Sequence, residues 1–247
     1  MKILVIGGTG LIGKEVCKKL KSTGNDVIVG TPSAGVDILT GEGLAKALEG
    51  TDIVIDLSNS KSPEAQIALD FFRTAAKNLV TAEKNANIKH HLILSIVGTD
   101  RGQHIGYLQA KKYQEDAIIE SGIPYTIIRS TQFHEHVSTI VTVQSEGRNV
   151  HVSTVDYQPI AVEDVVDYVV KFALELPKNR KLDIAGPDRG LMSDFVESYL
   201  REKGEDKIVV PNQDDKYMFE DISRSLLVPL GDFFPGKIRF DDWKSNS

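Results

Sequence analysis

Cysteine and tryptophan each occur once in these 247 residues. A single thiol forms no internal disulfide, so nothing covalent braces the fold and the chain suits a reducing compartment. Cys17 stands among Val16 and Leu20 in a helix-like stretch, the setting of a packed core thiol rather than a nucleophile. No apolar run reaches the roughly 20 residues that cross a bilayer, which argues against a membrane partner. Dense lysine or arginine clusters are missing as well. Lys18-Lys19 and Lys111-Lys112 are short pairs, and the net charge of -6 gives no basic footprint for nucleic acid. No repeat or low-complexity linker marks a boundary. The chain opens directly on a strand-like run, leaving no room for a signal peptide, and the expected location is cytoplasmic. Monomer and homodimer both stay open.

What the sequence does contain is alternation. Residues 2–6 read as a buried strand, 11–22 as a helix and 26–30 as a second strand. Val36 to Leu39 is expected as a third strand, followed by a helix over Gly43 to Leu48. Thr51 to Leu57 is the clearest central strand, and a long helix begins near Pro63, a good first-turn residue. Ala68, Phe72, Ala75, Ala76 and Leu79 keep its helical spacing. His91 to Val97 is a strand, 107–121 a helix and Tyr125 to Arg129 a strand. This order implies an α/β fold with a doubly wound, mostly parallel sheet of Rossmann type.

The last third departs from that rhythm. Arg148 to Val155 reads as a strand, Val162 to Val170 as an amphipathic helix, and Lys181 to Pro187 as a strand ended by a turn. The expectation is one nucleotide-binding domain over 1–247, with about 133–160 and 187–240 forming a small substrate-capping region rich in aromatics such as Phe195, Tyr199 and Phe233.

At the front end, Lys2-Ile3-Leu4-Val5-Ile6 runs into Gly7-Gly8-Thr9-Gly10-Leu11-Ile12-Gly13. A pyrophosphate needs bare backbone N–H groups and the positive end of a helix dipole, and side chains would block that approach. Gly7, Gly10 and Gly13 supply the tight turn, the close approach and the close helix packing, with Thr9, Leu11 and Ile12 completing the loop. A strand before and a helix after are the context that gives such a loop meaning. A ribose-binding acid is expected at the end of the second strand, but Gly30-Thr31-Pro32-Ser33 stands there. With no carboxylate to repel a 2′-phosphate, Thr31 and Ser33 favour NADP over NAD.

Tyr107 and Lys111 lie four residues apart, on one helix face, and Ser95 precedes the tyrosine by twelve residues at a strand end. A phenol has a reference pKa near 10, and a neighbouring cation stabilises the phenolate. The trio reads as an acid/base set beside a nicotinamide ring, against the plainer reading of an ordinary amphipathic pair.

The glycine loop, Ser95-Ile96-Val97-Gly98, Tyr107-x-x-x-Lys111 and Ile123-Pro124-Tyr125-Thr126-Ile127-Ile128-Arg129 together resemble the atypical short-chain dehydrogenase/reductases. The nearest branch is similar to the NmrA-like group, with its NAD(P)H-dependent quinone and azo-dye reductases. The resemblance runs from residue 1 to about 170 and thins to Pro159 to Val165. It implies that Tyr107 gives a proton to the substrate oxygen as hydride arrives. Lys111 would hold the nicotinamide ribose and lower the tyrosine's pKa, and Ser95 would orient the substrate oxygen. Leu57-Ser58-Asn59 and Ser130 to Phe133, at strand ends, would flank the cofactor. The implied activity is hydride transfer to a small carbonyl, quinone or related acceptor. Ile6 stands where the family commonly has threonine. NmrA-like members that lack the tyrosine act as redox sensors, so a sensor working through a protein partner is the competing class. Isomerase or epimerase chemistry on a nucleotide sugar is a third.

His134-Glu135-His136 is not His-Glu-x-x-His, and histidines two apart share a face only on a strand, so no metal site is expected. Phe133 and His134 are expected to line a substrate pocket instead, with His104, just ahead of Tyr107, a further candidate for the same wall.

Overall fold

The structure is a computed structural model that describes residues 1–213, 216–217 and 220–245. In chain order the elements begin with β1 (Lys2–Ile6), α1 (Leu11–Ser22), β2 (Asp26–Gly30), α2 (Leu44–Leu48) and β3 (Ile53–Asp56). Then come α3 (Ala65–Ala86), β4 (His90–Ile96), α4 (Gly106–Ser121), β5 (Tyr125–Ser130), α5 (His136–Val143), β6 (Ser145–Glu146) and β7 (Asn149–Ser153). They continue through β8 (Asp156–Tyr157), α6 (Val162–Leu174), β9 (Lys181–Ala185), β10 (Gly190–Leu191), α7 (Met192–Lys203) and β11 (Ile208–Asn212). Last are β12 (Lys216–Tyr217), β13 (Glu220–Asp221), β14 (Phe234–Pro235) and α8 (Phe240–Lys244).

A seven-stranded sheet has the order β14-β9-β5-β4-β3-β1-β2. β1 runs parallel to both β2 and β3, β3 to β4, and β9 to β14. The doubly wound α/β expectation is met. Strand order reverses between β1 and β3, and the crevice outside the carboxyl ends at such a switch point is where ligands bind in open α/β sheets. Gly7 follows β1 and Leu57 follows β3, so two of the expected cofactor segments begin at that crevice.

Two compact units divide the chain. The first is Met1–Arg129 with Val166–Leu182, and the second is Ser130–Val165 with Asp183–Ser247. In the first, one core cluster joins Leu4 and Ile6 of β1, Val54 of β3, Leu44 and Leu48 of α2, and Ala75 and Leu79 of α3. A second, of Ala68, Phe72 and Ala110, lies where α3 meets α4 and takes in the ring of Tyr107. Gly106 makes that approach possible, since a Cβ there would stand 2.1 Å from the Cβ of Ala65. Cys17 is buried in α1 near the Gly8 carbonyl, as the packed core thiol expected of it.

Val36 to Leu39 is not a strand. Asp37 turns its side chain back on the chain, its Oδ1 accepting the Leu39 N–H at 2.7 Å, while its own N–H donates to the Glu42 carbonyl. That local hydrogen bonding outcompetes a ladder, and Val36 and Ile38 reach the core from a loop.

The second unit carries the three-stranded sheet β11-β7-β6 and the pair β10-β8. Val150 and Val152 of β7 are buried, and α7 buries Met192, Phe195, Val196 and Leu200. Tyr157 is wholly buried, with the edge of its ring against Phe195 at 5.6 Å.

Candidate active site

The glycine loop is built by close contacts rather than side chains. Gly7 has φ of +73°, a conformation that glycine adopts without strain. Its N–H donates to the Gly30 carbonyl, and a Cβ added to it would lie 2.8 Å from the Leu57 carbonyl oxygen. At Gly13 a Cβ would come within 2.2 Å of the Gly7 carbonyl oxygen, so only glycine lets α1 start this close to the turn. α1 has no side-chain cap and no acid in its first turn, leaving its N–H groups and dipole to an anion. Thr9, Gly10 and Leu11 are exposed, while Ile12 turns into the core. Ser58 places a buried hydroxyl without a protein partner at the carboxyl end of β3. A bare cradle and a spare hydroxyl fit a dinucleotide's pyrophosphate and ribose. At the end of β2, Thr31 and Ser33 hydrogen-bond each other at 3.0 Å around a single turn of 3-10 helix, Pro32–Ala34.

Tyr107 occupies the first turn of α4. Its hydroxyl donates to Asn59 Oδ1, and its ring meets the edge of Phe72 with centroids 6.2 Å apart. Burial pushes the phenol's pKa above its ordinary value, against the opposing pull of Asn59. The expected lowering by Lys111 is therefore not what this arrangement produces, because the lysine spends its contacts elsewhere. Lys111 is buried, with Nζ donating to the Leu94 carbonyl at 3.0 Å and to Gln114 Oε1, and it stands 4.7 Å over the Phe72 ring. Burial lowers its pKa to about 8, resisted by Asp56 and Glu115. Gln114 in turn donates to Asp56 Oδ2 at 2.8 Å, and Asp56 Oδ1 accepts the Ser58 N–H at 2.9 Å.

Ser95, at the end of β4, is buried and donates to Glu115 Oε1 at 2.6 Å. Glu115 takes two further hydrogen bonds from Arg129, at 2.9 and 2.7 Å, and faces Lys181 at 3.4 Å. Arg129 also reaches Asp100. Ser95, Tyr107 and Lys111 thus share α4 and its neighbours, but each hydroxyl or ammonium has its own partner. Sequence reasoning missed Gln114 and Glu115, although they stand three and four residues past Lys111 on the same helix face. A buried arginine at the end of β5 was a second signal that an acid must meet it.

In the second unit, Phe133 is half-buried and bridges to Ile160. His134 corrects the pocket-wall expectation. Its ring is fully buried, Nε2 lies 3.0 Å from the Pro159 carbonyl oxygen, and Phe240 and Trp243 pack on it at 5.2 and 5.3 Å. Burial lowers its pKa to about 4, so it is a neutral packing residue. His104 is exposed. Among the described residues, no group of three histidine, cysteine or acidic side chains is arranged to hold a metal ion.

A family model described as NAD(P)H-binding matches residues 7–175, from the glycine loop to the end of α6. The chain belongs to the NAD(P)H-binding family. The atypical short-chain dehydrogenase/reductase, NmrA-like assignment agrees with that membership. Photosystem II assembly factor Ycf39 of Synechocystis is 24% identical, with 70% of this chain and 57% of that protein covered. Divinyl chlorophyllide a 8-vinyl-reductase of Cucumis sativus is 27% identical, covering 76% of this chain and 54% of that one. The chain therefore spans little more than half the length of these two relatives. Among solved structures, a nucleoside-diphosphate-sugar epimerase from Staphylococcus aureus superposes with a TM-score of 0.78 at 14% identity, covering 99% of this chain and 100% of that one. At that identity the likeness is one of fold. No helix among the described residues is long and apolar enough to cross a membrane.

Proposed function

We propose that this NAD(P)H-binding protein is an oxidoreductase that reduces a small carbonyl, quinone or related acceptor, with NADP(H) preferred over NAD(H). The observation that carries the reading is the Tyr107 hydroxyl, held by Asn59 at the carboxyl end of β3, next to the glycine loop's crevice. The bound dinucleotide supplies a hydride. Gly7 to Gly13 would hold its pyrophosphate, Leu57 and Ser58 its flank, and Thr31 and Ser33 a 2′-phosphate. Tyr107 gives its proton to the acceptor oxygen, and Lys111 and Ser95 serve through the buried networks beneath it. The reductase named among the relatives supports this class of chemistry. A reducing compartment belongs to the same reading, in keeping with the buried thiol of Cys17.

A second reading rests on the same glycine loop, bare at Gly7, Gly10 and Gly13, which can hold a dinucleotide whether or not hydride is transferred. In that reading the protein senses NAD(P) and acts through a protein partner, as a relative named for assembly suggests. NADPH and NADH oxidation by the purified protein against quinones, azo dyes and aldehydes separates the two, with cofactor affinities measured alongside. Turnover with NADPH, and weaker turnover with NADH, is the expected outcome. Tight binding without turnover on any acceptor would transfer the assignment to the sensor.

A further inference from the structure

Tyr107 and Asn59 belong to a closed polar circuit that begins and ends on α4. The phenol donates to Asn59 Oδ1. One residue back, the Ser58 N–H is fixed on Asp56 Oδ1 at 2.9 Å. The other oxygen of Asp56 accepts from Gln114 Nε2 at 2.8 Å, and Gln114 Oε1 accepts from Lys111, one helical turn beyond Tyr107. Asp56 and Gln114 are each 2% exposed, so the anchor of the Asn59 loop is a protected one. Phe72 closes the other side of the phenol ring and also lies beneath the Lys111 ammonium. Two of the three Lys111 N–H donors go to the Leu94 carbonyl and Gln114 and the ammonium lies over Phe72, whereas Asn59 touches the phenol directly.

We propose that Asn59 is the positioning residue of the active site: it aims the Tyr107 hydroxyl and stabilises the phenolate that proton transfer leaves. The inference rests on Tyr107 being the proton donor. An amide suits the task because it offers both an acceptor oxygen and N–H donors. Before reaction Oδ1 accepts the phenol proton. For transfer, the O–H turns to the acceptor oxygen, and the amide rotates to present Nδ2–H to the phenol oxygen. The Tyr107 O–H bond breaks and a new O–H bond forms on the acceptor, whose carbon receives the hydride, a two-electron reduction. Water then returns a proton to the phenolate. Asp56 and Gln114 act one step removed, by holding the loop that carries Asn59.

The test is Asn59→Leu, which removes both amide functions, beside Asn59→Asp, which offers only acceptors to an anion. Protein labelled with 3-fluorotyrosine is titrated by fluorine NMR without cofactor or acceptor, and the Tyr107 signal is assigned with Tyr107→Phe. In both variants the Tyr107 signal should titrate at higher pH than in the wild type. Under turnover, the loss should fall on kcat by at least about 10-fold, with acceptor KM little changed, as misaligned general acids show. A signal that titrates as in the wild type in either variant overturns the proposal, and so does an unchanged kcat. Because the titration needs no acceptor, a wild-type protein that turns over nothing would sink the oxidoreductase reading while this measurement still answers for Asn59.

Discussion

Ser95 and Glu115 are joined inside the first unit by a 2.6 Å hydrogen bond from hydroxyl to carboxylate, with both side chains withdrawn from solvent. The same carboxylate takes two hydrogen bonds from Arg129, so the serine completes the coordination of a buried charge. Ser95→Ala should therefore act on stability first. Losing a hydrogen bond to a buried charged group costs about 1.5–3 kcal/mol. For a chain of this size that corresponds to a melting temperature lower by roughly 3–12 °C. Turnover per folded molecule should change little. A collapse of turnover at unchanged melting temperature would return Ser95 to direct contact with the substrate.

Gly13→Ala isolates the cofactor cradle. The new methyl would meet the Gly7 carbonyl oxygen at 2.2 Å, backbone that cannot swing aside as a long side chain does. The turn must open, and the N–H groups that would face the pyrophosphate move with it. NADPH affinity, read by fluorescence titration, should fall at least about 10-fold, a loss near 1.4 kcal/mol. Wild-type affinity in the variant would place the dinucleotide elsewhere.

Much of this was legible in the sequence for physical reasons that can be named. β1, the glycine turn and α1 form one local unit whose steric demands only glycine meets. Fully buried strands such as β3 leave near-continuous apolar runs, and α3 leaves a helical stripe. Val36 to Leu39 had the right apolar content for a strand and the wrong neighbour, since Asp37 competes for its own backbone. The spacing of Tyr107 and Lys111 placed both on α4, but helical spacing does not say where a long ammonium ends. Here it is drawn to Gln114 and the Leu94 carbonyl, which come together only when α4 packs on β4. Asn59 was visible as a strand-end residue. Its bond to the phenol depends on how closely Gly106 lets α4 approach α3, a tertiary fact.

Tyr107→Phe removes the proposed acid while keeping the ring that Phe72 packs against. Cofactor affinity should be spared. Turnover of a carbonyl acceptor should drop at least about 100-fold, the lower end of what general acid catalysis contributes. Equal turnover by the two proteins would remove Tyr107 from the mechanism.

Lys111 gives the protein a stability signature in alkaline solution. Burial takes its pKa from 10.5 to about 8, so the folded state loses this proton first. Below the folded value both states carry the charge, and the fold bears the full cost of burying it. Between the folded and unfolded values the unfolded chain holds a proton the fold has shed, so stability rises with pH. A shift of this size is worth roughly 3 kcal/mol once complete. Lys111→Met lacks the titrating group. The unfolding free energy of wild type minus Lys111→Met, from denaturant curves at about pH 7 and about pH 10.5, should therefore grow in the wild type's favour. A difference that stays flat or shrinks would contradict the burial of this ammonium.

Hydride transfer itself is the central claim, and isotope transfer tests it most directly. NADPH carrying deuterium at the transferable C4 position is turned over with an aldehyde, and the alcohol product is weighed by mass spectrometry. The account predicts a product heavier by one deuterium, bound to the former carbonyl carbon. Tight NADPH binding with no deuterium in any product would contradict it.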